Sequence, residues 1–430
     1  MINVTLKSLT ASNFAPFADT VEFSTKIDNG KKEFPENTFS IGDESFNRVS
    51  YIYGANGAGK TFFCKVLLEI QRLLIWSPFS LGNNSALLTH PLFKDLDKQV
   101  KPFLFDESYS SKPTIFSIAI VLDENTYHYE FSVKGKKILH ERLTKKYRRT
   151  EILLERKSPS SRDIIVRSDF KGFDLYKHSV KEEALCLAIA HTFANPLATR
   201  ILEAIQKISV VNMTAPNAPL LDPKKSFSEK RLERYVNVLR KASPPLRKLH
   251  VDVNEEDVKQ NIEFDDFENR EIIAKKTSLT VTAQHSCYSD GVSEDAEVIN
   301  FFSDESMGTV KLFTILPHLY DALECGGVLI LDEIDNGFHL SLAKDIIRLF
   351  LDPESNPHNA QLICTTHQPL LVGDSTRRDQ VWVINKDEIG KSRIHRFSDI
   401  STSRSKINFT NRLLENAFGC NPEPFFENSR

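Results

Sequence analysis

The sequence has few of the features that are typical of membrane proteins, of secreted proteins or of proteins stabilised by a structural metal. Its 430 residues contain only six cysteines, which lie far apart and form no C-x-x-C pair. This spacing argues against a disulfide framework and against a zinc knuckle. No apolar run approaches the length that crosses a bilayer, and the N-terminal residues lack the layout of a signal peptide. We therefore expect a cytoplasmic protein that has no membrane partner.

The sequence also lacks an excess of charge of either sign. Lysine and arginine number 55 against 58 acidic residues, which gives a formal net charge of −3. A chain with this balance has no global attraction to nucleic acid, so any such contact would come from a local patch. With 40% hydrophobic and 26% charged residues, the composition predicts a globular protein with one large domain or two to three smaller ones.

Glycine is scarce, yet three of the 16 glycines fall in the stretch YIYGANGAGKTFF at residues 51–63. The pattern G-x-x-x-x-G-K-[ST] is that of a phosphate loop, in which backbone N–H groups surround phosphates. Residues 48–53 are predicted to form a buried strand and residues 61–74 a helix, which is the context that this loop requires. The predicted nucleotide-binding residues are Gly54, Ala55, Asn56, Gly57, Ala58, Gly59, Lys60, Thr61 and Phe62.

Within this loop, two side chains have specific predicted roles. Lys60 would reach the terminal phosphates of the nucleotide, and the hydroxyl of Thr61 would bind Mg²⁺. The loop therefore predicts a nucleotide bound with Mg²⁺, and by itself it is shared by kinases, GTPases, motors and transporters.

A second motif, GGVLILDEIDNGFH at residues 326–339, supplies carboxylates. Residues 328–331 form an apolar run typical of a parallel strand that is buried on both faces. Asp332 at the end of this strand would hold Mg²⁺, and Glu333 would orient and deprotonate the water that attacks the γ-phosphate. We assign Asp332 to the metal and Glu333 as general base.

A third motif, AQLICTTHQPLL at residues 360–371, contains another predicted buried strand. This strand ends at His367, which would therefore lie at the same sheet edge as Asp332. One interpretation is that His367 contacts the γ-phosphate and reports its presence. The alternative is a structural histidine, which is the commoner case for a single histidine at a strand end.

The order of phosphate loop, ESMG, VLILDE, Asp335 and TTH resembles the ABC-type ATPase head of SMC and RecF relatives and of AAA-domain proteins in bacterial defence operons. In that family, the serine and glycine of a signature segment complete the nucleotide site of the opposite subunit, and Ser306 and Gly308 match these positions. The resemblance implies that Asp335 also belongs to the nucleotide site. It further implies a head-to-head dimer, or a higher homo-oligomer, with ATP at the interface.

The signature segment departs from the L-S-G-G-Q of transporters, because Glu305 precedes the serine and Met307 follows it. This departure favours the defence branch, as do the stretches NFAPF near the N-terminus, GFH after the acidic strand, RRDQVWVI at 377–384 and the C-terminal FGCNPEPF. Leu340 departs from that branch, since a proline often stands there. The resemblance covers roughly residues 1–150 and 270–430.

We therefore expect an α/β fold, an ABC-type ATPase head whose mixed, largely parallel sheet is built from both ends of the chain. Residues 113–157 alternate in strand fashion and predict an antiparallel lobe. Residues 181–242 read as helices. The expected division is 1–157 for the first part of the head, 158–270 for a mainly helical insertion and 271–430 for the second part.

Two basic clusters occur in the middle of the chain, at residues 145–149 and 224–248. Basic residues along a helix can neutralise the phosphates of DNA or RNA. The alternatives are a solvated helix face and a surface on which another protein docks.

Three functional classes fit these motifs. The first is a DNA-repair ATPase similar to RecF and SMC proteins, which binds DNA. The second is a standalone nuclease, which needs an appended acidic domain, and we expect no room for one after the head motifs. The third, which we favour, is the ATPase subunit of a bacterial anti-phage system. In that class, ATP-dependent dimerisation senses a phage-encoded or nucleic-acid trigger and controls a separate, nuclease-like effector.

Overall fold

The computed structural model describes residues 3–28, 33–78, 98–167, 170, 172–214, 223–263, 269–289, 292–373 and 375–400. The strands in these ranges are β1 (Thr5–Ser12), β2 (Val21–Ser24), β3 (Thr38–Ile41), β4 (Glu44–Asn47), β5 (Val49–Tyr53), β6 (Thr114–Leu122), β7 (Asn125–Lys134), β8 (Lys137–Lys146), β9 (Thr150–Arg156), β10 (Ile164–Val166), β11 (Ser209–Asn212), β12 (Leu246–Glu263), β13 (Asn269–Ser289), β14 (Val292–Asn300), β15 (Val328–Asp332), β16 (Gln361–Thr366), β17 (Val381–Lys386) and β18 (Ser392–Arg396).

The α-helices in the same ranges are α1 (Lys60–Trp76), α2 (Cys186–Thr192), α3 (Pro196–Gln206), α4 (Pro223–Ser226), α5 (Glu229–Leu239), α6 (Phe301–Asp304), α7 (Met307–Cys325), α8 (Leu340–Leu351) and α9 (Phe397–Ile400). Within the described part of the chain, no helix combines the length and the apolar character that crossing a bilayer requires.

A six-stranded sheet lies at the centre, in the order β11-β15-β16-β5-β17-β18. All its neighbours are parallel except β17 and β18. Successive residues of each strand enter two different cores: Ile330 packs on one side, and Leu329 and Leu331 pack on the other. Burial on both faces explains the continuous apolar runs in the sequence. The carboxyl ends of β5, β15 and β16 consequently meet at one edge of the sheet.

The antiparallel lobe is a seven-stranded sheet in the order β10-β9-β8-β7-β6-β1-β2. Its apolar face shares a core with α1, whose side chains Phe63, Leu67, Ile70 and Leu74 are buried there together with Phe116 of β6. The lobe predicted from residues 113–157 is therefore confirmed, and it is extended by the N-terminal strands β1 and β2. Helix α1 thus begins at the central sheet and is covered by the lobe.

The predicted α/β fold is confirmed, and the middle of the chain is helical over α2 to α5. This region also contains elements that the periodicity did not indicate. Strand β11 pairs with β15 in the central sheet, so a part of the predicted insertion belongs to the head. Residues 246–263 form a strand of a three-stranded antiparallel sheet with β13 and β14. The high charge of this stretch concealed its alternation of inward and outward residues. The division of the chain into three parts stays a prediction.

The stretch RRDQVWVI has a structural role in the fold. The guanidinium of Arg377 donates two hydrogen bonds to the Asp379 carboxylate, at 2.9 and 2.8 Å, and both side chains are buried. Asp379 also accepts a hydrogen bond from the backbone N–H of Asp28, at 3.0 Å. The pair therefore ties the start of β17 to the N-terminal part of the chain. The other predicted stretch, FGCNPEPF, lies outside the described residues.

Candidate nucleotide-binding site

The loop between β5 and α1 has the shape of a cradle lined by backbone. Gly59 precedes α1 and has φ +114°, a conformation that residues with side chains rarely adopt. A Cβ at Gly54 would lie 2.5 Å from the carbonyl oxygen of Ile384. The glycines at both ends of the loop are thus required by backbone geometry and by close packing. The helix N-terminus that follows directs its free N–H groups toward the loop, where an anion is favoured.

Lys60 is buried at the first position of α1, and its Nζ donates hydrogen bonds to the carbonyl oxygens of Gly54 and Ala55, at 2.7 and 2.9 Å. Burial lowers the pKa of Lys60, and the nearby carboxylates of Glu333, Asp335 and Asp332 oppose this shift. The ammonium therefore lies over its own loop and faces three carboxylates.

The remaining predicted residues of the loop have different environments. The carbonyl of Ala58 accepts a hydrogen bond from Ser392 Oγ at 2.6 Å, while Asn56 and Gly57 are exposed. Phe62 is half-exposed on α1, with the ammonium of Lys65 4.7 Å from its ring centre.

Asp332 lies at the carboxyl end of β15 and is almost fully buried. It accepts hydrogen bonds from Thr365 Oγ1 at 2.7 Å and from Asn212 Nδ2 at 2.8 Å. Burial raises its pKa, while hydrogen bonds from Thr365 and Thr61 oppose this effect. The structure therefore brings Thr61 and Asp332 into contact, as their predicted common role requires.

Glu333 follows in a left-handed backbone conformation with φ +59°. Its N–H donates to Thr365 Oγ1 at 2.7 Å, and its Oε2 accepts from Thr214 Oγ1 at 2.7 Å and Asn336 Nδ2 at 3.1 Å. The hydrogen bond from Thr214 lowers the pKa of Glu333. Burial opposes this shift, while the hydrogen bond from Asn336 and the charge of Lys60 act in the same direction as Thr214. Glu333 is therefore an ionised carboxylate on a constrained backbone.

His367 lies directly after β16 and pairs with Asp335. Its Nδ1 lies 2.9 Å from Asp335 Oδ2, and its backbone N–H donates to the same oxygen at 3.2 Å. The second oxygen, Asp335 Oδ1, is buried and has no hydrogen-bond partner among the described residues. A buried carboxylate oxygen without a partner is costly unless a further group binds there. The imidazole is thus oriented by a carboxylate that has unused acceptor capacity.

Ser306 and Gly308 lie at the start of α7. Ser306 caps this helix and accepts a hydrogen bond from the N–H of Thr309 at 3.2 Å. A Cβ at Gly308 would lie 3.5 Å from the carbonyl of Gly337, in the loop that follows Glu333. The nearby Lys311 donates to Asn336 Oδ1 at 3.2 Å. The signature segment therefore contacts the acidic loop of its own chain.

Sequence reasoning missed four residues that contact the carboxylates: Asn212, Thr214, Asn336 and Thr365. The signal was present for Asn212, because Ser209–Asn212 is a short apolar stretch that ends in a polar residue, like β15 and β16. The stretch was not recognised as a strand of the site because it contains no known motif.

The residues present fit Mg²⁺ bound together with a nucleotide. The described residues contain no group of three or more His, Cys, Asp and Glu side chains that could hold a metal by themselves. Mg²⁺ is usually bound by one or two protein oxygens, with the remainder supplied by water and substrate phosphates. The carboxylate of Asp332 and the hydroxyl of Thr61 are oxygen donors of this kind.

A family model described as "AAA domain, putative AbiEii toxin, Type IV TA system" matches residues 49–373. The chain belongs to this family. The match begins at β5 and includes the phosphate loop, the signature segment, the acidic strand and His367. This AAA-domain protein has no match among the curated proteins.

Solved structures give weaker likenesses to the AAA-domain protein. The SMC head domain from Thermotoga maritima is 12% identical, with 91% of this chain and 98% of that chain covered and a TM-score of 0.36. The recombination mediator RecF with ATP is 14% identical, with 91% and 98% covered and a TM-score of 0.38. An SMC head bound to the C-winged helix domain of ScpA is 15% identical, with 91% and 96% covered and a TM-score of 0.37. The family match carries the assignment.

Proposed function

We propose that the chain binds ATP with Mg²⁺ and hydrolyses it at the edge of the central sheet. The observation that carries this proposal is the convergence of Lys60, Thr61, Asp332, Glu333 and the Asp335–His367 pair on one edge, from three segments far apart in sequence. A phosphate loop, a buried aspartate beside a loop hydroxyl and an adjacent constrained carboxylate are the parts that phosphoryl transfer to water requires.

Each residue of the site has a separate proposed role in ATP binding or hydrolysis. Backbone N–H groups of residues 54–61 bind the phosphates, and Lys60 exchanges its bonds to the loop carbonyls for bonds to phosphate oxygens. Thr61 and Asp332 hold Mg²⁺, which neutralises phosphate charge when bound. Glu333 orients the attacking water and accepts its proton. His367, oriented by Asp335, donates a hydrogen bond from Nε2 to the γ-phosphate.

The proposal includes a head-to-head dimer or a higher homo-oligomer. Within the described residues, Ser306 hydrogen-bonds to Thr309, and Gly308 lies near the carbonyl of Gly337 in the loop after Glu333 of its own chain. In the family that the motifs resemble, the corresponding residues complete the site of the opposite subunit. ATP held between two copies would then close the heads, and hydrolysis would open them.

We further propose that the chain is the ATPase subunit of a bacterial abortive-infection or toxin–antitoxin module. The family description names an AbiEii toxin and a type IV TA system, which supports this class. A separate nuclease-like effector would supply toxicity, and a phage-encoded molecule or nucleic acid would be the trigger. Differential contacts in the open and closed heads would couple nucleotide state to the effector.

The competing class is a DNA-binding repair ATPase similar to RecF. In that class, the basic segment 224–248 would bind DNA. Arg231 is buried and pairs with Asp321 at 2.7 Å and Glu324 at 2.6 Å. Arg234 also pairs with Glu324, at 3.0 Å, and Arg240 donates to the carbonyl of Leu246 at 2.8 Å. Two arginines of the predicted basic cluster therefore pair α5 with α7, and a third bonds to the start of β12, so these three have structural partners. This favours the effector-coupled class.

The first test measures phosphate release and ATP binding by the full-length chain. Glu333→Gln should lower kcat by about 10²- to 10³-fold, because the general base is lost, while ATP binding remains. Lys60→Ala should abolish ATP binding. The control is Glu107→Gln, an exposed carboxylate in the 3-10 turn before β6, which should match the parental protein. Hydrolysis by Glu333→Gln at the parental rate would show that Glu333 is not the base.

The second test measures assembly and defence. Light scattering should detect an ATP-dependent dimer of Glu333→Gln, and the product of a neighbouring gene should co-purify with the chain. Phage plating should show protection only when both genes are present. Protection by the chain alone, or sensitivity to DNA damage as the only effect of deletion, would contradict the effector-coupled function.

A further inference from the structure

A short segment at the end of β11, Asn212–Thr214, contacts both carboxylates of the acidic strand. Asn212 Nδ2 donates to Asp332 Oδ2 at 2.8 Å, and Thr214 Oγ1 donates to Glu333 Oε2 at 2.7 Å. The N–H of Thr214 in turn donates to Asn212 Oδ1 at 2.7 Å, and the N–H of Met213 donates to the carbonyl of Asp332 at 2.9 Å. The segment is therefore fixed to β15 by backbone and side-chain bonds together.

The Glu333 side chain depends on this segment for its orientation. Its backbone is held by Thr365, but its carboxylate extends toward the exposed edge of the sheet. Only two donors within the described residues contact that carboxylate, Thr214 and Asn336. Asn336 Nδ2 also contacts Thr214 Oγ1, at 3.2 Å, so the threonine hydroxyl is common to both interactions. Loss of this hydroxyl would loosen both constraints on Glu333.

We propose that Thr214 is a positioning residue, which holds Glu333 in the orientation that activates the attacking water. This inference rests on the proposed ATP hydrolysis. A general base is effective only within hydrogen-bonding reach of the proton that it abstracts, so angular freedom of its carboxylate lowers the rate. The hydrogen bonds of Thr214 within the described residues go to Asn212, Glu333 and Asn336, and none goes to residues 54–61, so nucleotide affinity should not depend on it. The middle of the chain thereby acts directly on the catalytic carboxylate.

The kinetic test compares Thr214→Val, which removes the hydroxyl at nearly constant volume, with Thr214→Ser, which keeps it. Thr214→Val should lower kcat about tenfold, the scale of one hydrogen bond to a charged group, with KM for ATP within about twofold of the parental value. Thr214→Ser should restore most of the rate. The matched control is Thr192→Val, which removes an exposed hydroxyl that donates to the Ala188 carbonyl in α2. Parental kcat in Thr214→Val would overturn the inference.

A second readout needs no turnover. Thr214→Val should lower the thermal midpoint of the nucleotide-free protein by about 1 °C, because the Glu333 carboxylate loses a donor. The same substitution in a Glu333→Ala background should have a smaller effect, because only the contact with Asn336 is then lost. Equal shifts in both backgrounds would show that the hydroxyl does not act through Glu333. If the parental chain binds but does not hydrolyse ATP, the proposed function fails, and the positioning role fails with it. Hydrolysis with unchanged kcat in Thr214→Val refutes only the positioning role.

Discussion

Two carboxylates in this molecule, Glu141 and Asp335, differ in how completely their oxygens are hydrogen-bonded. Glu141 in the antiparallel lobe is fully buried, and its oxygens accept hydrogen bonds from the Tyr129 hydroxyl and from the N–H groups of Cys186 and Leu187, at 2.6 to 2.9 Å. At the edge of the central sheet, Asp335 Oδ1 is buried without a partner among the described residues. One carboxylate is saturated by the fold, and the other retains capacity for a further group.

This difference distinguishes a carboxylate that the fold bonds completely from one that the fold bonds only in part. Glu141 bonds the first N–H groups of α2, so its charge fixes where that helix packs on β8. The end of β15 and the loop after it instead bring Asp332, Glu333 and Asp335 close to Lys60. Buried charge with incomplete hydrogen bonding is typical of sites that bind a ligand or a metal.

The largest expected effect follows from removing the saturated carboxylate. Glu141→Ala would leave the Tyr129 hydroxyl and two N–H groups unpaired in the core, which should cost about 3 kcal/mol or more of the free energy of unfolding. Denaturant unfolding measures this loss. Glu151→Ala on the exposed part of β9 is the control and should be neutral. Should Glu141→Ala keep its stability and lose kcat, the distinction between the two groups would be wrong.

A smaller effect is expected at Asp335, and it should fall on kcat rather than on the free energy of unfolding. Asp335→Asn removes the charge that orients His367, so kcat should fall by about tenfold. Stability of the nucleotide-free protein should be unchanged or slightly higher, because an incompletely bonded buried charge is replaced by a neutral amide. Phosphate release and thermal unfolding measure the two quantities on one sample. The control is Asp345→Asn, an exposed residue of α8 paired with Arg348. A clear loss of stability in Asp335→Asn would show that Asp335, like Glu141, mainly stabilises the fold.

The smallest effect is expected from the basic segment. Lys230, Lys241 and Lys248 are exposed, and their combined reversal to Glu should change duplex-DNA affinity by no more than about twofold at physiological salt. Fluorescence anisotropy with a labelled duplex, with and without ATP, measures this affinity. A loss of tenfold or more, with a reduced salt dependence, would favour the DNA-repair class over the effector-coupled class.

Much of the central site could be predicted because its parts are local patterns. The strand, loop and helix around residues 49–74 are encoded by an apolar run, glycines and helical spacing in direct succession. The strands that end at Asp332 and Thr366 are likewise apolar runs, so their existence followed from the sequence. Their alignment at one edge followed from the general rule that parallel strands present their carboxyl ends together.

The same reasoning failed where a residue's role depends on a distant partner. Arg231 is part of a basic cluster by sequence, yet it is buried against Asp321 and Glu324 of α7. Strand β12 is highly charged, and its pairing with β13 was not indicated by periodicity. Whether such a residue is exposed or buried depends on which other element packs against it. A local sequence pattern contains no information about that element.

The sequence by itself determined the phosphate loop, the buried strands and the order of the acidic and histidine motifs, because hydrophobic periodicity and backbone requirements act over a few neighbouring residues. The tertiary structure alone decided that β11 joins β15 and brings Thr214 to Glu333, and that Asp335 pairs with His367. It also decided which carboxylate is saturated and which retains a free oxygen. Hydrogen-bond saturation depends on donors from segments that are remote in the chain, so it is a property of the packed fold.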